Sequence, residues 1–285
     1  MTSSRTLGIT GSTGHVGGRV ARTLAAHPFR ETAVRLIARD ATRVPDLGFE
    51  VREAAYADTD ASTRALEGVD VLLMVSGSEN EHRREEHRSF IDAARRAGVG
   101  HIVYTSFLGA DPQTTFTLGR DHADAEAAIR ESGMAATILR DNFYSDLLPW
   151  FAGEDGVIRG PAGDGRVSAV ARADVADVAL AVLADPASHE GAVYELTGPE
   201  ALSFADIAAR GGAALGRALR YEEETLDEAY ASRRRWSDEQ WQLDAWVSTY
   251  VAIAEGQVER IAPDVEKVTG HPARTIEEAL SEFPE

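Results

Sequence analysis

Apolar residues in the first half of the chain fall into short runs, separated by longer stretches with helical periodicity. TLGIT (6–10) is followed by a helical pattern over 14–26 and then by AVRLIAR (33–39). FEVREAAY (49–56) and a short helix precede DVLLMVS (70–76), and a helical pattern over 81–97 leads to GHIVYTS (100–106). A helix over 120–131 and the strand MAATILR (134–140) complete the series. Continuous apolar runs alternating with helices predict an α/β fold built on a doubly wound parallel sheet, buried on both faces. After Arg140 the pattern loosens. VIRGPAGDGRVSAV (157–170) is turn-rich, RADVADVALAVLADP (172–186) reads as an amphipathic helix, and AVYELTG (192–198) as another strand. From Ser203 onward the chain reads as mostly helical, with a capping box at Thr225 and Glu228. The expected division is a Rossmann core over 1–141 and a smaller, mainly helical lobe over 142–285, with parts of 166–200 returning to the core.

Composition narrows the function classes. A formal net charge of −18 disfavours nucleic acid and anionic membranes, whose phosphates would be repelled over most of the surface. The absence of cysteine excludes disulfides, thiolate zinc sites, iron–sulfur clusters and a cysteine nucleophile. No apolar run approaches membrane-spanning length, and MTSSRTLGIT enters the first strand without a basic-then-apolar leader. The expectation is a cytoplasmic monomer or homodimer acting on a small molecule. ENEHRREEHR (79–88), with His82 and His87, reads as a solvated helix face because its charges alternate, and no metal site is expected. Trp236, Trp241 and Trp246 recur every five residues, which does not keep one helical face. Packing is therefore their default role, with one or two left as a roof over a cleft.

Gly11, Gly14 and Gly17 form GxxGxxG between the first strand and the first helix. The first glycine permits a tight turn and the second lets backbone N–H groups approach a pyrophosphate. The third lets the helix pack closely, its positive N-terminus aimed at the phosphates. Ser12, Thr13, His15 and Val16 complete this turn, His15 as a lip of the cleft. The second strand ends LIARD, so Arg39 stands where an acid would otherwise bind a ribose hydroxyl; this suits a 2′-phosphate and hence NADP(H). Asp40 comes one position late and is expected to point away.

With these pieces on the page, the chain resembles the NmrA-like atypical short-chain dehydrogenases/reductases, most closely their branch of type-2 quinone oxidoreductases and triphenylmethane reductases. The resemblance rests on ITGSTGHVGG, LIARD, GVDVLLMVSGSE, EHRSFIDAARRAGVGHIVYTS, DHADAEAAIRESG, ILRDNFYSD and GHPARTIEEAL. It implies cofactor contacts at Gly11 to Val16, at Arg39 and at Val75, Ser76, Gly77 and Ser78. It also implies that Arg140 to Tyr144, including Asn142 and Phe143, lie beside the nicotinamide. Relatives carry an acid after the third strand, near the adenine; here EAAYAD has Ala55 there, leaving Asp58 or backbone groups for that task.

Standard members of the superfamily protonate a carbonyl with a YxxxK tyrosine supported by its lysine. Ser106 stands at the expected place after IVYT, but FTLGRDHADAE has neither Tyr nor Lys, and Lys267 lies far along the chain. Reducing a simple ketone makes an alkoxide whose conjugate acid has a pKa near ~16, whereas reducing a quinone makes a phenolate-like oxygen of about 10. The difference, on the order of 8 kcal/mol, is oxyanion stability that a quinone does not require of the protein. The expected reaction is hydride transfer from NADPH to a quinone or similar electron-poor aromatic. The alternative is an NADP-binding redox sensor without turnover. His122, which opens HxxxE with Glu126, either holds the ribose or lends a proton near neutral pH, or else is a helix-start His bonded to backbone. Tyr144 either bonds the substrate oxygen or lines the pocket, and Asn142 either holds the carboxamide or caps its turn.

Overall fold

The computed structural model describes residues 5–282; the first four residues of the expected leaderless start lie outside it. Its elements follow the chain as β1 (Arg5–Thr10), α1 (His15–Ala26), β2 (Thr32–Ala38), β3 (Glu50–Glu53), α2 (Thr59–Leu66), β4 (Val71–Met74), α3 (Arg83–Ala97), β5 (His101–Phe107), α4 (Thr117–Ser132) and β6 (Ala135–Asp141). Then come β7 (Val157–Gly160), β8 (Arg166–Val167), α5 (Arg172–Ala184), β9 (Val193–Leu196), β10 (Leu202–Ser203), α6 (Phe204–Leu215), β11 (Arg220–Glu223), α7 (Leu226–Arg233), α8 (Gln240–Ala254), α9 (Asp264–Thr269) and α10 (Ile276–Ser281).

Seven strands form one sheet in the order β3-β2-β1-β4-β5-β6-β9, parallel at every pairing. The order reverses between β1 and β4, which opens a crevice at their carboxyl ends, where open α/β sheets bind ligands. Leu7, Ile9, Leu73, Val103 and Leu139 face α1 and α5 on one side. Leu72, Met74, Ile102 and Ile138 face α2, α3 and α4 on the other. A third apolar cluster, with Phe204, Ile207, Tyr250 and Ile253 at its centre, holds the C-terminal elements together around Phe107 and Phe116.

Two details differ from the sequence expectation. Helix α5 is not amphipathic in use: Val175, Ala176, Val178, Ala179, Val182 and Leu183 are all buried, as are Arg172 and Asp174, because α1, α9 and the strands β4, β5 and β6 all pack on it. Strand β3 stops at Glu53, and the chain from Ala54 turns into the crevice rim. The capping box at Thr225 and Glu228 opens α7. Near the chain's end, Arg274 sets its guanidinium against Asp174 and, at 2.9 Å, Asp177, with His271 close by. A positive group thus already serves the one convergence of acids and imidazole found among the described residues. None of the described helices is long and apolar enough to cross a membrane.

Candidate active site

The glycine turn sits at the crevice. Gly11 adopts φ +65°, a conformation that suits glycine, and its carbonyl accepts from Gly14 N at 2.8 Å. Helix α1 opens at Gly14 with no side-chain cap, so the amides of its first turn are not spent on a capping side chain. Gly17 lies against β1: a Cβ there would stand 2.3 Å from the Thr10 carbonyl oxygen and 2.6 Å from that of Gly11. Ser12 is buried in the turn, with no hydrogen-bond partner for its hydroxyl among the described residues. Uncapped amides, close helix–strand contact and an unspent hydroxyl fit a dinucleotide phosphate.

The segment after β4 is held atom by atom. Val75 N donates to Thr10 Oγ1 (2.8 Å), and the Val75 carbonyl accepts from Tyr56 (2.6 Å). Ser76 N donates to Thr105 Oγ1 (2.8 Å). Gly77 is gripped from α3, its amide donating to His87 Nε2 (2.9 Å) and its carbonyl accepting from Arg83 Nε (3.0 Å). This corrects the reading of residues 79–88 as a solvated face: Arg83 and His87 are 4% and 1% exposed. They lie one helical turn apart, and the buried stripe of α3 runs from them through Phe90, Ile91 and Ala94. That stripe was the missed signal. Burial first, and then the charge of Arg83, push the His87 imidazole down to about 3, so it is neutral and free to accept.

His122 lies deeper on the same network. Arg83 Nη2 meets its Nε2 at 3.0 Å, and the Tyr104 hydroxyl meets its Nδ1 at 3.0 Å. A guanidinium only donates, so Nε2 accepts and the ring proton, assigned from this network, belongs on Nδ1. Burial, followed by the charge of Arg83, lowers the imidazole well below its usual range. The expectation of a proton lent near neutral pH is therefore corrected, because the ring is neutral and both its nitrogens are engaged. Ser106 is likewise committed. Its hydroxyl donates to Glu126 Oε1 at 2.6 Å, and the same carboxylate takes a two-pronged contact from Arg140 at 2.8 and 2.7 Å.

The 141–146 segment forms one wall. Asn142 spends its amide on Ser168 and on the Val258 carbonyl, and its Oδ1 accepts from Phe143 N (2.8 Å), so it fastens the turn to the lobe. Of the two roles left open for Asn142, this geometry matches the turn cap. Phe143 packs against Phe107 and Phe116, with ring centres 4.9 and 5.1 Å away. Tyr144 donates to Asp141 Oδ2 at 2.7 Å and lies beneath the Arg172 guanidinium, 5.7 Å from its ring centre. Arg172 in turn pairs with Asp146 at 2.8 Å. A cavity of 510 Å³ starts at His15, runs along α1 past Arg19 and Arg22, and has Asp146 and Arg172 on its wall. Burial and then Arg172 lower the His15 imidazole.

At the outer rim Arg39 is exposed, and it makes no hydrogen bond or ion pair among the described residues. Asp40 turns back to accept from the amide and hydroxyl of Thr42 (2.9 and 2.6 Å). Asp58 caps α2 through Ala61 N (2.9 Å), so it is occupied where Ala55 lacks an acid. Trp246 donates from α8 to Glu79 at 3.0 Å and ties the lobe to the rim. Trp236 is exposed. Lys267 lies by Asp264 and Tyr194, away from the crevice residues.

A parallel sheet with a glycine phosphate turn and a polar, side-chain-clamped crevice defines a dinucleotide-dependent enzyme class. The chain belongs to the NAD(P)H-binding family, whose model matches residues 11–186, and is an NAD(P)H-dependent oxidoreductase. It is 34% identical over 281 residues to quinone oxidoreductase 2 of Escherichia coli (strain K12), covering 96% of this chain and 97% of that protein. It is 35% identical over 284 residues to the (4-alkanoyl-5-oxo-2,5-dihydrofuran-3-yl)methyl phosphate reductase of Streptomyces griseus, covering 97% of each. Among solved structures, the NADPH complex of the E. coli quinone oxidoreductase superposes with a TM-score of 0.85 at 34% identity, over 96% of this chain and 98% of that one.

Proposed function

We propose that the protein transfers hydride from NADPH to quinones or similar conjugated, electron-poor aromatics. The observation that carries this reading is the state of the crevice's polar groups. Ser106 donates to a carboxylate and His122 is neutral and doubly engaged, while the sequence offers no YxxxK pair. Such a site gives little help to an alkoxide, which a simple ketone would produce, and a phenolate-like product needs little. The names of the E. coli and Streptomyces relatives, a quinone oxidoreductase and a reductase of an unsaturated oxo-dihydrofuran, support acceptors whose added charge is delocalised.

In this reading Gly11 to Gly17 hold the pyrophosphate, with Ser12, Thr13, His15 and Val16 along the turn. Arg39 takes the 2′-phosphate, and Val75 to Ser78 form the floor next to the nicotinamide half. Phe143 and Tyr144 wall the acceptor, with Asn142 fixing that wall. His122 and Ser106 position the floor and the end of β5 rather than exchange protons. NADPH supplies the hydride.

The acceptor class is tested by NADPH oxidation with a series of benzoquinones and naphthoquinones beside simple aliphatic and aryl ketones. Turnover confined to the quinones is expected, and ketones reduced at comparable rates would sink the reading. The phosphate assignment has its own test. Arg39→Ala is expected to weaken NADPH binding about 10- to 100-fold, since a charge-assisted contact is worth roughly 1.5–3 kcal/mol, with NADH binding little changed. A variant that keeps the parent's preference for NADPH removes Arg39 from the site.

A further inference from the structure

Helix α1 keeps its apolar face, with Val16, Val20 and Leu24, in the core. His15, Arg19, Arg22 and Ala26 recur at steps of three and four and form a second stripe along the same helix. That stripe is one side of the 510 Å³ cavity, and Asp146, the start of α5 and the end of α10 make the other. The cavity meets the phosphate turn at His15 alone, then follows α1 as far as His27, about 18 Å along the helix axis. A dinucleotide crosses the carboxyl ends of the strands and does not run down the flank of α1. The space belongs to something else.

The charge of the cavity runs against that of the chain, which carries −18. Its lining has the guanidiniums of Arg19, Arg22 and Arg172 and the carboxylates of Asp146 and Glu282. Both carboxylates are already engaged. Asp146 and Arg172, both buried, pair at 2.8 Å, and Glu282 is shared between Arg19 at 3.0 Å and Arg274 at 2.8 Å. Arg22 makes no hydrogen bond or ion pair among the described residues, so its charge is left over. Helix α5 starts on the same wall without a side-chain cap from Ala171, Asp146 taking only the Arg172 amide at 3.3 Å, and its positive end adds to the field.

We propose that this cavity is a second anion site that binds a small phosphorylated metabolite, its phosphate on Arg22 and Arg19. The two guanidiniums stand one helical turn apart on one face of α1 and donate to different oxygens of a tetrahedral anion. Arg19 is released at little cost, because Arg274 keeps Glu282 paired. The volume is that of a small-molecule site and exceeds what one oxyanion fills, so an organic body accompanies the phosphate. That body lies against Thr23, Ala26, Ala173 and Ala279, whose small side chains leave it room. Nothing in this site requires hydride transfer or a quinone, and it goes beyond the reductase reading without resting on it.

The test is made on protein saturated with NADP+, so that the cofactor's own phosphate contacts are filled. Calorimetric titrations use glycerol 3-phosphate, glucose 6-phosphate, inorganic phosphate and, as the uncharged control, glucose. At least one of the two phosphate esters is expected to bind once per chain with a Kd below about 1 mM. Inorganic phosphate is expected to bind more weakly than that ester, and glucose not at all. Arg22→Ala is expected to weaken the ester about 10- to 100-fold, as the loss of a charge-assisted contact does. Arg30→Ala removes an exposed charge outside the cavity and is expected to change the ester's affinity by no more than about twofold. Both variants should keep the parent's melting temperature and NADP+ affinity. Four results overturn the site: no ester bound, esters bound only by cofactor-free protein, equal losses in Arg22→Ala and Arg30→Ala, or inorganic phosphate bound as tightly as either ester. None of them touches the quinone reading, which fails separately if the protein binds NADPH and reduces no quinone.

Discussion

Gly17→Ala is expected to abolish tight NADPH binding and to lower the melting temperature by roughly 5–10 °C. The added Cβ would stand 2.3 Å from the Thr10 carbonyl oxygen and 2.6 Å from that of Gly11, distances real Cβ atoms essentially never show. Both obstacles are backbone, in the first strand and in the phosphate turn, so no side chain can swing aside. Relief requires α1 to lift from the sheet, which opens contacts of Val16, Val20 and Leu24 with Leu7 and Ile9 in the core. Overpacking of this kind costs about 1–3 kcal/mol, and unyielding backbone puts this site at the upper end. The same shift withdraws the first-turn amides from the phosphates, and a loss of about 2.7 kcal/mol there corresponds to roughly a hundredfold in affinity. Thermal melts with and without NADPH measure both effects. A variant with parental melting and parental NADPH protection would show that the close approach of α1 to β1 is not what forms the cradle.

Arg83→Met is expected to destabilise the protein by about 2–5 kcal/mol and to weaken NADPH binding at least tenfold. Methionine can fill much of the space but cannot donate. The part-buried Gly77 carbonyl and the buried His122 Nε2 would both lose the donor that Arg83 supplies, the buried one at roughly 1–3 kcal/mol. Gly77 would then be gripped only through its amide by His87, and the crevice floor would lose its fixed height. Arg83 also lowers both imidazoles, so its removal lets them take up protons at higher pH than in the parent. A buried His with a depressed pKa costs stability as pH falls below its unfolded value. The variant's less depressed imidazoles cost it less of this, so its deficit against the parent should narrow toward pH 5. Urea melts at pH 7.5 and 5.5, with NADPH titrations beside them, measure this. A stability loss below 1 kcal/mol with unchanged NADPH affinity would demote Arg83 to a surface-type residue despite its burial.

The parallel sheet and the phosphate turn were legible because both follow from local rules. Apolar runs such as VLLM and HIVYTS suit strands covered on two faces, and three glycines at fixed spacing mark a strand–turn–helix. Residues that act through non-local partners were not legible. Arg83 and His87 sit in a run of ten almost wholly polar residues, where charge alternation hid the inward stripe. They face in because a loop's backbone needs donors and acceptors there, which only the folded β4–α3 junction shows. Tyr56 was seen only as part of a strand, yet it reaches across to Thr10 and the Val75 carbonyl. The Ser106–Glu126–Arg140 contact needs the β5–β6 register, which pairs Ser106 with Arg140, and the docking of α4 over both. Asp141 was read only as one of the residues beside the nicotinamide, whereas its burial, which raises its carboxyl, is encoded by no local pattern.

The central claim is that this NADP-binding crevice performs reduction and does not merely sense the cofactor. The most direct measurement follows NADPH oxidation by its absorbance with benzoquinone as acceptor, while NADPH affinity is determined on the same protein by fluorescence. The account predicts tight NADPH binding together with steady quinone-dependent oxidation. Tight binding with no oxidation across quinones and triphenylmethane dyes would contradict it, and would leave an NADP-binding regulator as the reading that fits.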